Sequence, residues 1–141
     1  TSSAASDVYK RQISYLDFLD DYLKPYVKAA VGNYKITMDA KKEFLNSNLN
    51  INKISELMNS HHNYLKDDLK ITTPEIDKMI DVSFENGAVG SKIVGSGGGG
   101  SIVSLSTNSN TSNKIVSELK SIGVKDAFIA RKGNGPTIYY E

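Results

Sequence analysis

Apolar residues recur at helical spacing as far as Gly87 and alternate with polar residues beyond it. The spacing predicts helices over 13–31, 33–45, 51–69 and 73–85. Pro25 predicts a kink or a break within the first of these helices, because proline removes a backbone donor. Gly32 and Asn33 predict the end of that helix. After Gly87 the two-residue period predicts strands over 89–94 and 102–106.

The last part of the chain continues the mixture of helix and strand. A polar connection over 108–112 leads into a short amphipathic helix over 113–122 and a strand over 127–131. Asn134 and Gly135 predict a hairpin turn, and 137–140 the returning strand. Strands with helices on one side indicate an α+β fold. We therefore predict a ferredoxin-like antiparallel sheet with helices on one face, plus additional N-terminal helices.

The start of the fourth helix has two candidate caps. Thr72 with Glu75 would form a capping box, whereas Thr73 as the cap would place Pro74 at the first helical position. The sequence does not choose between them.

Composition excludes several classes of function. The 141 residues include 17 Lys+Arg and 16 Asp+Glu, and the net charge of +1 gives no footprint for nucleic acid or an anionic membrane. No apolar run is long enough to predict a transmembrane helix. The absence of cysteine excludes disulfides and thiolate metal sites and is compatible with a cytoplasmic location, which we expect.

The first residues are unlike the rest. The segment 1–12 has no apolar signal-peptide region and looks like a translated adapter or junction sequence. We expect 1–12 to be an artefact that is disordered or frayed, and 13–141 to be one domain of a protein that starts upstream.

The most informative segment is the glycine-rich loop between the two predicted strands, Gly95 to Ser101. Consecutive glycines let the main chain adopt positive φ and direct N–H groups at an anion. From composition alone, a flexible linker or a plain turn are equally good interpretations. A strand follows the loop where a dinucleotide fingerprint needs a helix, and Gly100-Ser101-Ile102 replaces the Gly-Lys-Ser/Thr of a Walker loop.

Three pieces of sequence form a specific combination: Glu56-Leu-Met-Asn-Ser-His-His62, Thr73-Pro-Glu-Ile-Asp77 and Gly87-Ala-Val-Gly-Ser-Lys-Ile-Val-Gly-Ser-Gly-Gly-Gly-Gly100. In this combination the chain resembles the C-terminal domain of the GHMP kinase superfamily, most closely galactokinase and related sugar kinases. The similarity runs through most of 13–141 and is strongest over 54–106. The glycine-rich segment resembles the third signature motif of that family, with Ser101 where the family often has Cys.

The resemblance implies part of an enzyme that transfers the γ-phosphoryl group of Mg-ATP to a small-molecule hydroxyl, such as that of galactose. ATP and Mg²⁺ would be the cofactors of the full-length protein, and the phosphate-binding loop would consist of Gly95, Ser96, Gly97, Gly98, Gly99 and Gly100. Lys92 is a candidate neighbour of the phosphates or else an exposed strand lysine. The ATP loop and catalytic aspartate of the family lie in an N-terminal kinase domain that is missing here. We therefore expect no catalytic residue in this chain and no activity from it alone.

Two other functions stay open: a GHMP kinase of the mevalonate, phosphomevalonate or heptose type, and a non-catalytic ferredoxin-like module that binds a ligand. Neighbouring histidines on a helix point about 100° apart, so His61 and His62 do not predict a metal site. We expect His61 to be partly buried and His62 to face solvent or a neighbouring helix. Asp77 and Asp81 are expected on a solvated face.

Overall fold

The computed structural model of the chain describes residues 11, 14–98 and 100–131. A 3₁₀ turn at Leu16–Phe18 precedes the regular elements, and a π-helical turn at Tyr64–Asp68 extends the second helix. In the described part the elements are α1 (Lys24–Phe44), α2 (Ile51–Asn63), α3 (Pro74–Glu85), β1 (Gly90–Val94), β2 (Ser101–Leu105) and α4 (Ser109–Ser121).

Helix α1 differs from the prediction both at Pro25, where a kink or break was predicted, and at Gly32, where an end was predicted. Pro25 lies in the first turn of α1, where its missing N–H costs nothing, and neither kinks nor divides a helix. The predicted helix is wrong over 15–23, which contain a 3₁₀ turn but no α-helix. The predicted end at Gly32 is wrong, because α1 continues to Phe44. Gly32 is buried, and a Cβ there would overlap the ring of Tyr64. The glycine therefore permits close packing on the π-helical turn instead of ending the helix.

Side-chain caps start the other three helices. Asn50 accepts a hydrogen bond from Lys53 N, and Thr73 accepts one from Ile76 N at 3.3 Å. Thr73 is therefore the cap of α3, and Pro74 takes the first helical position. Asn108 accepts from Thr111 N at 2.9 Å. Helix α4 thus begins at Ser109, inside the segment predicted as a polar connection, because the asparagine is a cap and not a loop residue.

The two strands form an antiparallel hairpin, with Gly90 opposite Leu105 and Val94 opposite Ser101. Helix α2 lies along the outer edge of β1. The Asn59 side chain donates to the Val89 carbonyl at 3.2 Å and accepts from Ser91 N at 3.0 Å. A helical amide side chain thereby satisfies strand groups that have no strand partner among the described residues.

Two clusters of apolar side chains form the core. One joins the π-helical turn, α3 and β1, and consists of Leu65, Ile76, Ile80 and Ile93. The other joins α4 to the start of the hairpin through Ala88, Ile115 and Leu119, with Ile102 and Ala127 packed against it. Because Met79 packs against both clusters, the hairpin, the π-helical turn, α3 and α4 form one packed unit.

The fold is α+β, with four helices and a two-stranded antiparallel sheet in the described part. The described structure assigns no strand to 127–131, and the strand predicted to pair with it lies beyond the described residues. The predicted turn at Asn134-Gly135 and the strand over 137–140 lie outside the described residues, as does nearly all of the segment 1–12. The ferredoxin-like arrangement therefore stays a prediction. No helix among the described residues is long and apolar enough to cross a membrane.

Candidate functional site

The glycine-rich loop closes the β1–β2 hairpin, and its backbone conformation explains its composition. Gly95, Gly97 and Gly98 have φ of 75°, 79° and 67°. Side chains strongly disfavour this left-handed region, so three glycines are required by the path of the chain itself. Gly100 N donates to the Gly97 carbonyl at 3.3 Å and tightens the turn. The side chain of Ser96 is exposed.

The loop is anchored on the segment that leads into α3. A Cβ at Gly97 would overlap the carbonyl oxygen of Ile71, whereas a Cβ at Gly95 or Gly98 would meet nothing within 4 Å. Gly97 is therefore packed on the protein, and Gly98 faces open space. Since paired strands hold both ends of the loop, it does not separate two independent units as a linker would.

The start of α3 does not supply the attraction for an anion at this site. Glu75 and Asp77 occupy its first turn, and their charges offset the positive end of the helix dipole. A hydrogen bond from its own backbone N–H lowers the pKa of Glu75, and the Thr73 side chain lowers it further, so that carboxylate is ionised at neutral pH. Any anion here would be held by amides of the loop.

One predicted alternative for Lys92, an exposed strand lysine, is wrong. Lys92 is half-buried, and its ammonium donates to the Ile93 carbonyl at 2.6 Å. Burial lowers its pKa. The side chain lines a groove between α1 and α2 together with His61.

The two histidines lie in different surroundings. His61 is half-buried, as expected, whereas His62 is 6% exposed, so its solvent-facing alternative is wrong. Burial lowers the pKa of both, so both imidazoles are neutral at pH 7. Near His62, Lys66 pairs with Asp77 at 3.1 Å.

The Lys66–Asp77 pair also corrects the prediction for Asp77, which is half-buried and not on a solvated face. Asp81 is exposed, as predicted. His62 Nδ1 and Asp77 Oδ1 are buried without a hydrogen-bond partner among the described residues. Sequence reasoning missed this polar cluster, because its members lie on separate helices and the sequence carries no signal of their proximity. In the described part, no group of three or more potential ligands could hold a metal ion.

Comparison with known proteins adds an independent finding. The family described as GHMP kinases C terminal matches residues 40–139. A galactokinase of Clostridium perfringens strain SM101 is 30% identical over 136 residues, covering 88% of this chain and 33% of the relative. A galactokinase of Lactococcus lactis subsp. cremoris is 32% identical over 124 residues, covering 84% of this chain and 31% of the relative. A galactokinase of Bacillus subtilis is 39% identical over 57 residues, or 40% of this chain and 15% of the relative.

The chain therefore spans about one third of the length of the first two of these relatives. The family match covers the loop, the hairpin and helices α2 to α4, and begins inside α1.

Proposed function

The chain belongs to the GHMP kinase family through its C-terminal domain, and we propose that it forms the C-terminal part of an ATP-dependent sugar kinase. Its relatives are named galactokinases, and galactose is therefore the proposed acceptor. The reaction would move the γ-phosphoryl group of Mg-ATP to a sugar hydroxyl. We place the protein in the cytoplasm, where both substrates occur.

The observation that carries this proposal is the positive-φ loop anchored at Gly97. Phosphoryl transfer is catalysed mostly by positioning and by compensation of negative charge, and fixed main-chain amides supply both without a charged side chain. We assign the phosphate contact to the loop segment from Gly95 to Gly98, with Ser96 as an additional hydroxyl donor. Gly99, also predicted as part of the loop, lies outside the described residues, and Gly100 would close the turn through its bond to Gly97.

A catalytic base and a nucleotide loop would come from the remaining two thirds of such a kinase. Mg²⁺ would be bound with the nucleotide, since phosphate oxygens supply most of its ligands. This chain alone is then expected to bind Mg-ATP weakly and to turn over no substrate.

The test is a kinase assay on the complete protein that contains this chain. Galactose, mevalonate, phosphomevalonate and a heptose are each offered with Mg-ATP, and ADP release is measured. We expect galactose-dependent ADP release. ADP release with another acceptor would agree with a GHMP kinase but would overturn galactose as its substrate. No ADP release with any acceptor would favour the non-catalytic ligand-binding module.

The contribution of the loop is tested by Gly98→Ala in the same protein. The new methyl group would project into the open space beside the loop, where we place the phosphates. We expect kcat/KM for ATP to fall about 10- to 100-fold, as for other small displacements of a positioned substrate. Ser109→Ala, on the exposed first turn of α4, is the control and should leave it unchanged.

A further inference from the structure

A second concave surface lies away from the glycine loop. The groove between the second half of α1 and the facing side of α2 has a volume of about 510 Å³. Its walls are almost entirely apolar, with Ala40 and Phe44 on one side and Ile54 and Leu57 on the other. Pockets of this size and character bind small organic molecules in many proteins.

The charged groups of the groove have one sign, because Lys41 and Lys92 are cationic and His61 is neutral at pH 7. Lys41, His61 and Lys92 are the titratable side chains of the lining, and no carboxylate contributes to it. Lys41 lies along the α1 wall, whereas His61 and Lys92 lie close enough for the lysine charge to help lower the pKa of His61, after the larger effect of burial. The groove therefore attracts an anion and repels a cation.

The groove is also polarised along its length. Ile54 and His61 are seven residues apart on α2, so that wall is about 10 Å long at the usual helical rise. Phe44 is near the connection between the helices, and the exposed Lys41 precedes it by about one turn of α1. The other end contains the half-buried Lys92 and the neutral His61. An extended apolar chain with a charged head matches this layout.

The ammonium of Lys92 has no carboxylate partner among the ion pairs of the described residues. It lies half-buried against apolar walls, and its hydrogen bond goes to a neutral carbonyl, that of Ile93. A charge in such a place is costly until a counter-charge compensates it. A bound anion would supply that compensation and a charge-assisted hydrogen bond.

We propose that this groove binds a small amphipathic carboxylate, with its head at Lys92 and His61 and its hydrocarbon chain along α2 towards Phe44. The proposal rests on the groove alone and is independent of the kinase function. It gives Lys92 an anionic partner other than nucleotide phosphate.

The test uses the full chain at pH 7.5 with decanoate as the probe, below its micelle concentration. Calorimetry gives the affinity, and amide chemical shifts locate the bound molecule. Decanol has the same tail without the charge, and acetate has the head without the tail. We expect decanoate to bind at least about tenfold more tightly than decanol, as a charge-assisted hydrogen bond implies, and acetate to give no measurable binding. Shifts should concentrate on residues 54–61 and 92.

Three variants separate the contribution of the Lys92 charge to binding from that of the apolar walls. Lys92→Met keeps the length of the side chain, and it should remove the preference for decanoate while decanol binds as before. Lys53→Met removes an exposed lysine of α2 that pairs with Glu56, and it should change neither affinity. Ala40→Leu fills the groove and should weaken both ligands.

Three results would overturn the proposal. These are equal affinities of the wild-type chain for decanoate and decanol, an unchanged preference in Lys92→Met, or shifts that map outside the groove. Amide spectra of each variant without ligand establish that it is folded. If Lys92→Met fails this check, Ala40→Leu decides the outcome, and unchanged binding of both ligands to that variant overturns the proposal.

Discussion

The glycine loop and the α1–α2 groove are both suited to anions, but they are built differently. The loop consists of consecutive residues, and its donors belong to the main chain. The groove takes its lysines from α1 and β1 and a neutral imidazole from α2, and all of these groups are side chains. A site made by one short segment is encoded locally, whereas a site made by three elements exists only after they pack.

The two regions also differ in their support. The loop rests through Gly97 on the segment before α3, above a core that includes the fully buried Ile76 and Ile93. The groove ends at the edge of the molecule, where the side chains of Phe44 and Leu45 are 63% and 76% exposed. Changes in the loop should therefore cost stability, and changes in the groove should mainly alter binding.

The largest expected effect separates two neighbouring glycines. Gly97→Ala should destabilise the chain by about 3 kcal/mol, since a positive φ costs about 1–2 kcal/mol and overlap with the Ile71 carbonyl adds a similar amount. Gly98→Ala has the backbone strain without the overlap and should cost only about 1–2 kcal/mol. Urea unfolding measures both. Equal losses would show that the loop is not anchored at Gly97.

Asn59→Ala tests the connection between the helical and the hairpin parts. It removes two hydrogen bonds to the edge of β1, each worth about 1 kcal/mol, and should lower the free energy of unfolding by about 2 kcal/mol. Asn52→Ala on the exposed face of the same helix is the control, with an expected change below about 0.5 kcal/mol. Similar losses of unfolding free energy in both variants would show that the two Asn59 hydrogen bonds do not join α2 to β1.

Gly32→Ala tests the packing of α1 and has an unusual expected sign. Alanine normally stabilises a helix interior by about 1 kcal/mol relative to glycine. Here its methyl group would overlap Tyr64, whose ring also lies 5.8 Å from the Lys28 ammonium, so we expect a net loss of about 1 kcal/mol. In a Tyr64→Ala background the same change should become neutral or stabilising. The free energy of unfolding is measured for the wild-type chain, the two single variants and the double variant. If Gly32→Ala destabilises both backgrounds equally, the expected overlap with Tyr64 does not exist.

The smallest expected effect concerns pH. Burial lowers the pKa of His62; Asp77 and Asp67 oppose the shift, while Lys66 and Lys92 reinforce it. Below the unfolded pKa of about 6.5, the unfolded chain binds a proton that the folded chain resists, so acid lowers stability.

Unfolding free energies measured between pH 8 and pH 5.5 should therefore fall with a shallower slope in His62→Gln than in the wild-type chain. His61→Gln provides the comparison, because the pKa of His61 is lowered by burial and by Lys92 without an opposing carboxylate. If stability fell more steeply with acid in His62→Gln than in the wild-type chain, the pKa of His62 would be raised by folding and not lowered.

Local signals predicted most of the helices and both described strands. Periodicity located β1 and β2 within one residue of their bounds at each end, and the turn residues located the loop. Signals that depend on packing were misread. Glycine is a residue type that often ends helices, and Gly32 lies inside α1 because the ring of Tyr64 packs against it. Asn108 belongs by composition to a loop, yet its side chain starts α4.

The same division applies to the candidate sites. The glycine loop was predicted from consecutive residues, and its role stays a prediction, whereas the family of the chain is confirmed by the match over 40–139. The burial of His62, the Lys66–Asp77 pair and the groove around Lys92 join residues far apart in the sequence. No period or motif marks such proximity, and one sequence alone carries no signal for it.

We propose that the glycine loop contacts nucleotide phosphates, and this contact would change the amide chemical shifts of the loop during a titration of this chain. Mg-ATP and adenosine are added separately up to millimolar concentration. We predict weak binding of Mg-ATP, with the largest shifts at the amides of Gly95 to Gly98, and no such shifts with adenosine. The claim would be contradicted if Mg-ATP left those amides unchanged, or if adenosine shifted them equally.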